Sequence, residues 1–233
     1  MARALHPGIA GLTTLFIVGA AVPARAQAVE MSFEAGYTAS EGITASQSRI
    51  IFGQIYNQLD LTSGAAFGFT IGAFVTPHAE VEFLYHRQAS TLSISDPAPS
   101  RKLASQDIEN YHGNFVYNWG ESGSAARPFF LVGLGATHYL PGDYDSSIAN
   151  SATIQKIATS TRFSWALGGG VKFYPSTNVG FKGTIRWTPT YIKSDSAGYW
   201  CDPFYPTCWV LADPDYANQL EFSGGITLRF GGR

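Results

Sequence analysis

Histidine is the residue of this 233-residue sequence best suited to chemistry, because imidazole can exchange a proton near neutral pH, bind a metal or activate a serine. His86 and His112 both stand at polar positions of segments in which polar and apolar residues alternate. We expect them to lie nearly opposite each other on adjacent strands. They would form either a proton-sensitive or metal-binding site that tunes the opening of a channel, or hydrogen-bonded side chains that fill the interior beside Asn110 and Asn114. The second interpretation is the one we adopt.

The remaining histidines after residue 28 are His78 and His138. We expect His78 to be solvated in a turn and His138 to be solvated near a strand end. The His-x-Ser spacing expected of a lipid A deacylase is absent at every histidine. We therefore predict no enzyme, no catalytic or metal-binding residues and no cofactor.

The two cysteines, Cys201 and Cys208, lie seven positions apart in a loop rich in aromatic residues, 199–209. A cysteine pair in an exported chain indicates a disulfide, and a metal site would need more ligands than this loop offers. A stapled loop with exposed aromatic side chains is suited to surface binding, because preorganisation lowers the entropy cost of binding. The alternative, that these aromatics pack on each other, stays open.

Charged side chains recur on the polar faces of the alternating segments, and acids balance bases. If these faces line a narrow lumen, unpaired charges are costly, so the balance predicts a plug of salt bridges. We expect Arg229 near Glu30, and Arg186 near Glu34 or another acid in the middle of the lumen. The predicted charge network comprises Glu30, Glu34, Glu80, Glu82, Glu221, Arg162, Lys172, Lys182, Arg186 and Arg229.

The elements that must position these groups are β-strands, because a period of two places alternate side chains on opposite faces. Segment 128–139 is apolar on both faces, so its register stays open. The joints alternate between short and long, which is typical of an antiparallel up-and-down transmembrane β-barrel. The first long joint, 39–63, either extends its flanking strands or forms a small hairpin. The eight segments are residues 29–38, 64–75, 79–89, 108–119, 128–139, 161–174, 179–188 and 220–230.

Export is indicated by the first 28 residues, which have a basic start, a short apolar core and a small-residue cleavage site. We predict a signal peptide over residues 1–28, cleaved after Ala26 or Ala28, and a single barrel domain over residues 29–233. Without the leader, thirteen bases face seventeen acids, a net charge of about −4, which argues against a nucleic-acid partner. A soluble exported barrel resembling lipocalins is the competing architecture.

Three segments, 80–88, 128–136 and 163–172, together with their order and spacing, resemble the small outer-membrane β-barrel family that includes the membrane domain of OmpA. The resemblance implies an all-β, eight-stranded barrel in the bacterial outer membrane. Its short turns and both termini would be periplasmic, and its long loops extracellular. It also implies an insertion signal in the last strand, read by the outer-membrane insertion machinery. Ser223, Gly225, Leu228 and Phe230 match that signal, although three residues follow the final aromatic.

We expect a structural or surface-interaction role, because eight strands leave an interior that side chains can fill. The partners would be outer-membrane lipid, lipopolysaccharide and a surface ligand at the extracellular loops. A narrow gated channel is the second hypothesis, and a lipid A-modifying enzyme is the third.

Overall fold

The computed structural model describes residues 28–41, 43–51, 54–121, 123–144, 159–191 and 216–231. Every regular element in these ranges is a β-strand, as the alternation predicts. No helix in these ranges is long and apolar enough to cross a membrane. In chain order the strands are β1 (Val29–Ser40), β2 (Ile43–Ile51), β3 (Gln54–Leu61), β4 (Gly64–Phe74), β5 (Ala79–Pro97), β6 (Arg101–Asn118), β7 (Ala126–Tyr144), β8 (Ser160–Phe173), β9 (Val179–Tyr191) and β10 (Tyr216–Phe230).

Eight of these strands form a closed antiparallel ring, in the order β1, β4, β5, β6, β7, β8, β9, β10 and back to β1. The first and last strands close it, with Val29 opposite Phe230 and Ser40 opposite Gln219. Closure leaves no free sheet edge around the ring, which is the condition for strands to stand in lipid. The predicted eight-stranded antiparallel barrel is confirmed.

The first long joint forms a hairpin, β2–β3. Its second strand, β3, pairs with the far part of β5, from Leu61 opposite Leu92 to Tyr56 opposite Pro97. Beside it, β5, β6 and β7 are 18 to 19 residues long, against 11 to 15 for the rest of the ring. The wall is therefore taller on this side. The predicted long joint 90–107 is wrong in extent, because strand pairing continues until only 98–100 separate β5 from β6.

Short connections join β4 to β5, β6 to β7 and β8 to β9 at one end of the barrel, which we call the turn end. The opposite end is the loop end. β1 begins and β10 finishes at the turn end, since Val29 pairs with Phe230 there.

Apolar side chains cover the outside of the barrel and polar ones fill the inside, the reverse of a soluble protein. Phe33, Leu134 and Phe163 are 55%, 63% and 55% exposed on the outer face, whereas Glu30, Lys172 and the other charges of the inner face are almost fully buried. An outward apolar band around a polar lumen is the arrangement of a barrel surrounded by lipid. This excludes the lipocalin-like alternative.

The register of β7, left open by its sequence, places Phe129 and Leu131 inward and Phe130 outward. Phe129 and Leu131 pack with Val116 and Ala166 in a small apolar cluster inside the barrel. This cluster explains why β7 is apolar on both faces.

Candidate functional site

Among the described residues, the interior of the barrel holds ten buried charged side chains, five acids and five bases. They are Glu30, Glu34, Glu80, Glu82, Glu221, Arg127, Lys172, Lys182, Arg186 and Arg229. Another predicted member, Arg162, lies near the loop end, opposite Thr137, where it is half-buried. Arg127 is one of the five buried bases, although the sequence did not single it out.

The layer nearest the turn end is centred on Glu30. Arg229 lies directly across the closing seam and donates from Nε at 2.7 Å and from Nη2 at 2.6 Å to Glu30 Oε1. From the opposite wall, Lys172 Nζ contacts Glu30 Oε2 and Glu80 Oε2, both at 2.6 Å. Tyr174 donates its hydroxyl to Glu30 at 2.5 Å. Carboxylates from two sides of the barrel are thus tied together by one lysine.

Arg127 belongs to the same layer. Its Nη2 donates to the Pro77 carbonyl oxygen at 2.6 Å, and its guanidinium carbon lies 5.5 Å from the centroid of the Phe74 ring. The sequence does not single out Arg127, because it precedes the segment of β7 that is apolar on both faces, and the face to which its side chain belongs could not be assigned. The register of Phe129, two residues on, would have revealed it.

The second layer is centred on Lys182, whose Nζ lies 3.0 Å from Glu34 Oε1 and 2.7 Å from Glu82 Oε2. Ser223 donates to Glu34 at 3.0 Å, and Asn114 donates to Glu82 at 2.9 Å. A buried charge is tolerated when it is paired and its remaining lone pairs are hydrogen-bonded, as they largely are here.

The third layer, which we call the mid-lumen layer, consists of Arg186, Glu221, His86 and His112. Arg186 Nη2 and His86 Nδ1 both contact Glu221 Oε2, the latter at 3.0 Å. Glu221 is therefore the acid that Arg186 meets. His112 Nε2 lies 3.0 Å from the Ser164 hydroxyl.

The sequence predicts that the two histidines lie nearly opposite each other, and in the register they are diagonal neighbours on adjacent strands. His86 faces Asn110, while His112 faces Leu84, two residues from His86 along β5. They share the inner face but stand one step apart along the strands.

Above the mid-lumen layer lies an uncharged amide layer, formed by Gln88, Gln219 and Asn110. Gln219 donates to Gln88 at 2.9 Å, and Asn110 donates to Gln219 at 3.2 Å. Thr137 then donates to Asn110 at 2.7 Å. The amide layer therefore adds no charge of its own between the mid-lumen layer and the loop end.

Glycines make room for these large inward side chains. In the register, Gly68 stands opposite His86, Gly135 opposite His112, and Gly168 opposite Arg186. A Cβ at Gly68 would lie 2.7 Å from His86 Cδ2, and one at Gly135 would lie 2.8 Å from His112 Cδ2. The backbone is closer still, because these Cβ atoms would lie 2.1 Å from the Tyr85 carbonyl oxygen and 1.9 Å from that of Tyr111. Each large inward side chain therefore stands beside a position that cannot carry a side chain.

The other predicted site residues lie at the edges or outside the described ranges. His78 is exposed in a turn, and His138 Nδ1 lies 3.0 Å from the Thr161 hydroxyl on the outer face. In the part of the chain that the structure describes, no three His, Cys, Asp or Glu residues are grouped to hold a metal. Cys201, Cys208 and the rest of loop 199–209, like residues 1–27, lie outside those ranges.

The predicted insertion-signal residues lie on β10. Ser223, bonded to Glu34, and Gly225 face inward, and Leu228 and Phe230 face outward, with Phe230 54% exposed. Their recognition by the insertion machinery stays a prediction.

A closed antiparallel ring with an apolar exterior and a charge-filled interior defines a transmembrane β-barrel. The chain matches the family model described as "Outer membrane protein beta-barrel domain" over residues 12–230. It belongs to that family, whose place is the bacterial outer membrane and whose members have diverse roles.

Three solved structures show the same fold at low sequence identity. OprG from Pseudomonas aeruginosa has a TM-score of 0.63 at 12% identity, over 89% of this chain and 98% of its own. Neisserial surface protein A has a TM-score of 0.52 at 12% identity, over 87% of this chain and 97% of its own. The outer membrane protein AlkL has a TM-score of 0.51 at 13% identity, over 100% of this chain and 98% of its own. No curated protein matches the sequence significantly.

Proposed function

We propose that this protein is an outer-membrane barrel whose lumen is sealed by its ion network at neutral pH, and that its role is structural or lies in surface interaction at the loop end. The observation that supports sealing is the chain of contacts from Arg229 through Glu30 and Lys172 to Glu80, which crosses the interior from one wall to the other. In a ring of eight strands, side chains of this size fill the interior.

Electrostatics also favours a closed barrel over a general porin. An ion entering the lumen would have to separate charges that pair at 2.6–3.0 Å in a space with little water. Breaking a buried pair costs about 3–5 kcal/mol, far above thermal energy.

Bilayer recording tests the sealing. The purified full chain in a planar bilayer at neutral pH should show no regular conductance steps. Glu30→Gln and Glu34→Gln should both introduce conductance and lower heat stability, because each removes a carboxylate that pairs with buried cations, Glu30 with Lys172 and Arg229, and Glu34 with Lys182. Glu109→Gln is the matched control, since Glu109 bonds Tyr85 and Tyr111 on the outer face and not in the lumen. Regular conductance by the unmodified chain, or unchanged behaviour of both lumen variants, would refute the proposal.

The taller wall supports a role at the loop end. β5, β6 and β7, with the β2–β3 hairpin beside them, continue past the neighbouring strands and present an ordered sheet there. By the orientation that the sequence predicts, with the termini in the periplasm, this sheet is extracellular. The partner would be lipopolysaccharide or a glycan of another surface.

Deletion of loop 199–209 tests the partner separately. Cells displaying the deletion variant should lose binding to immobilised lipopolysaccharide or glycans that the unmodified chain retains. The control is a deletion of the same length in loop 145–158. Equal binding by the unmodified chain and the 199–209 variant would exclude this loop as the binding surface.

A further inference from the structure

The mid-lumen layer contains unsatisfied polar atoms. Four buried atoms have no hydrogen-bond partner among the described residues: His86 Nε2, His112 Nδ1, Arg186 Nε and Glu221 Oε1. Buried polar atoms in folded proteins are nearly always paired, with ordered water where no protein group is in reach. Donors and acceptors left open on adjoining side chains therefore mark a place for water inside the barrel.

The charges around this layer are arranged so that one extra proton would be uncompensated. The charges of Arg186 on β9 and Glu221 on β10 cancel each other, and each histidine is uncharged while its ring carries a single proton. Below them, the two layers at the turn end hold four acids and four bases.

No other ring strand places a charge directly against His86. On β6 it meets Asn110 and its neighbour His112, and on β4 Gly68, which brings no side chain. β8 brings Ser164 to His112, β7 brings Gly135, and the nearest acid on β1 is Glu34, in the layer below. The amide layer above carries no charge, and on β8 the half-buried Arg162 stands two residues from Ser164, near the loop end.

We propose that the mid-lumen layer is a proton-responsive seal, in which protonation of His86 opens the barrel to small anions from the loop end. The proposal rests on the proposed function, because it assumes a barrel closed at neutral pH. When His86 takes up a proton at Nε2, it and Arg186 become two cations that share the single carboxylate of Glu221. Water already at this layer accepts the new N–H, so the proton can arrive without unfolding of the barrel.

The net positive charge has no counter-ion within the lumen. Uncompensated charge in a confined interior is costly, and an entering anion with its water relieves that cost. Anions can reach the layer only through the amide layer, whose hydrogen bonds involve no ion pairs and break more easily than those below. Acidification should therefore loosen the loop-end side first.

The test is conductance of the full chain in planar bilayers of potassium chloride at about pH 7 and about pH 5, the range in which imidazole titrates. We compare the unmodified chain with His86→Gln, whose side-chain amide cannot take up a proton. His138→Gln is the matched control on the outer face. The unmodified chain and His138→Gln should conduct chloride-selectively only at the lower pH, and His86→Gln should lose this response.

Several outcomes overturn the proposal: no change with pH in the unmodified chain, an unaltered response in His86→Gln, or a response lost in His112→Asn instead. Conductance at neutral pH would refute the proposed sealing, whereas a barrel closed at both pH values would refute only this inference. If His86→Gln does not fold, nitrogen NMR of the imidazoles in the unmodified chain decides. The imidazole signals of His86 must then differ between the two conditions in which conductance is recorded.

Discussion

Replacing Lys172 with methionine is the sharpest test of the lumen network. Lys172 is 1% exposed and is the cation that Glu30 and Glu80 share. After its loss, Glu30 keeps Arg229 and Tyr174. Glu80 keeps, among the described residues, only the 3.2 Å hydrogen bond from the amide of Asn118. Nearly all of the unfolding free energy lost in Lys172→Met therefore comes from the isolated carboxylate of Glu80.

The expected loss of unfolding free energy follows from this difference between the partners left to Glu30 and to Glu80. Leaving one buried partner of an ion pair alone costs about 3–5 kcal/mol of unfolding free energy. Lys172→Met combined with Glu80→Gln removes the isolated charge and retains a neutral hydrogen bond. The pair of substitutions should then cost about 1–2 kcal/mol. The double variant should thus be about 2–3 kcal/mol more stable than Lys172→Met alone, and the coupling energy of the double-mutant cycle equals this difference plus the cost of Glu80→Gln alone.

Urea unfolding in lipid vesicles, followed by the shift in gel migration between folded and unfolded barrel, measures these differences. Arg87→Met is the control, because Arg87 pairs with Asp107 on the outer face, where the side chains are 41% and 34% exposed. Such a pair is worth about 0–1 kcal/mol. A cost below about 1 kcal/mol for Lys172→Met, or a double variant as unstable as the sum of both single variants, would refute the reasoning.

Three further predictions concern the wall, the cysteine loop and the end of the chain. Gly68→Ala should lower the unfolding free energy by about 1–3 kcal/mol, because its Cβ would overlap the next strand, whereas Gly183→Ala, with nothing within 4 Å, should be nearly neutral in the same urea titration. Alkylation of the denatured, unreduced protein should add no label at Cys201 or Cys208, and label found there by mass spectrometry would exclude the disulfide. Phe230→Ala should slow insertion into vesicles containing the purified insertion machinery, and an unchanged rate would exclude its role in the signal.

The barrel and its inward face were predictable because lipid outside and a confined lumen inside impose a strict period of two. Glu30, Lys182 and Arg229 lie on the buried inner face for that reason. The predicted end of β5 failed where the polarity of the faces changes: beyond Ala89, Leu92 and Ile94 are buried on the face whose earlier residues are mostly polar, although the strand continues to Pro97.

The lumen itself was only partly predictable, because pairing depends on distances across the barrel that neighbours in sequence do not encode. The seam contact between Glu30 and Arg229 followed from closing the ring. Arg186 pairs with Glu221 because of the strand register, which the sequence does not give. Arg127 points inward on β7 together with Phe129. Because Phe129 is apolar, the inner face of β7 does not show the polar alternation from which the direction of Arg127 could have been predicted.

The glycines that face large inward residues have a consequence for the history of this sequence. A Cβ at Gly68, Gly135 or Gly168 would lie 2.1, 1.9 or 2.6 Å from a backbone carbonyl oxygen of the neighbouring strand, whichever side chain faces it. These three positions should therefore stay glycine among descendants of a common ancestor, whereas the residues opposite them are free to vary. Changes in the chemistry of the lumen would then be recorded at His86, His112 and Arg186, while the glycines mark where two backbones come closest.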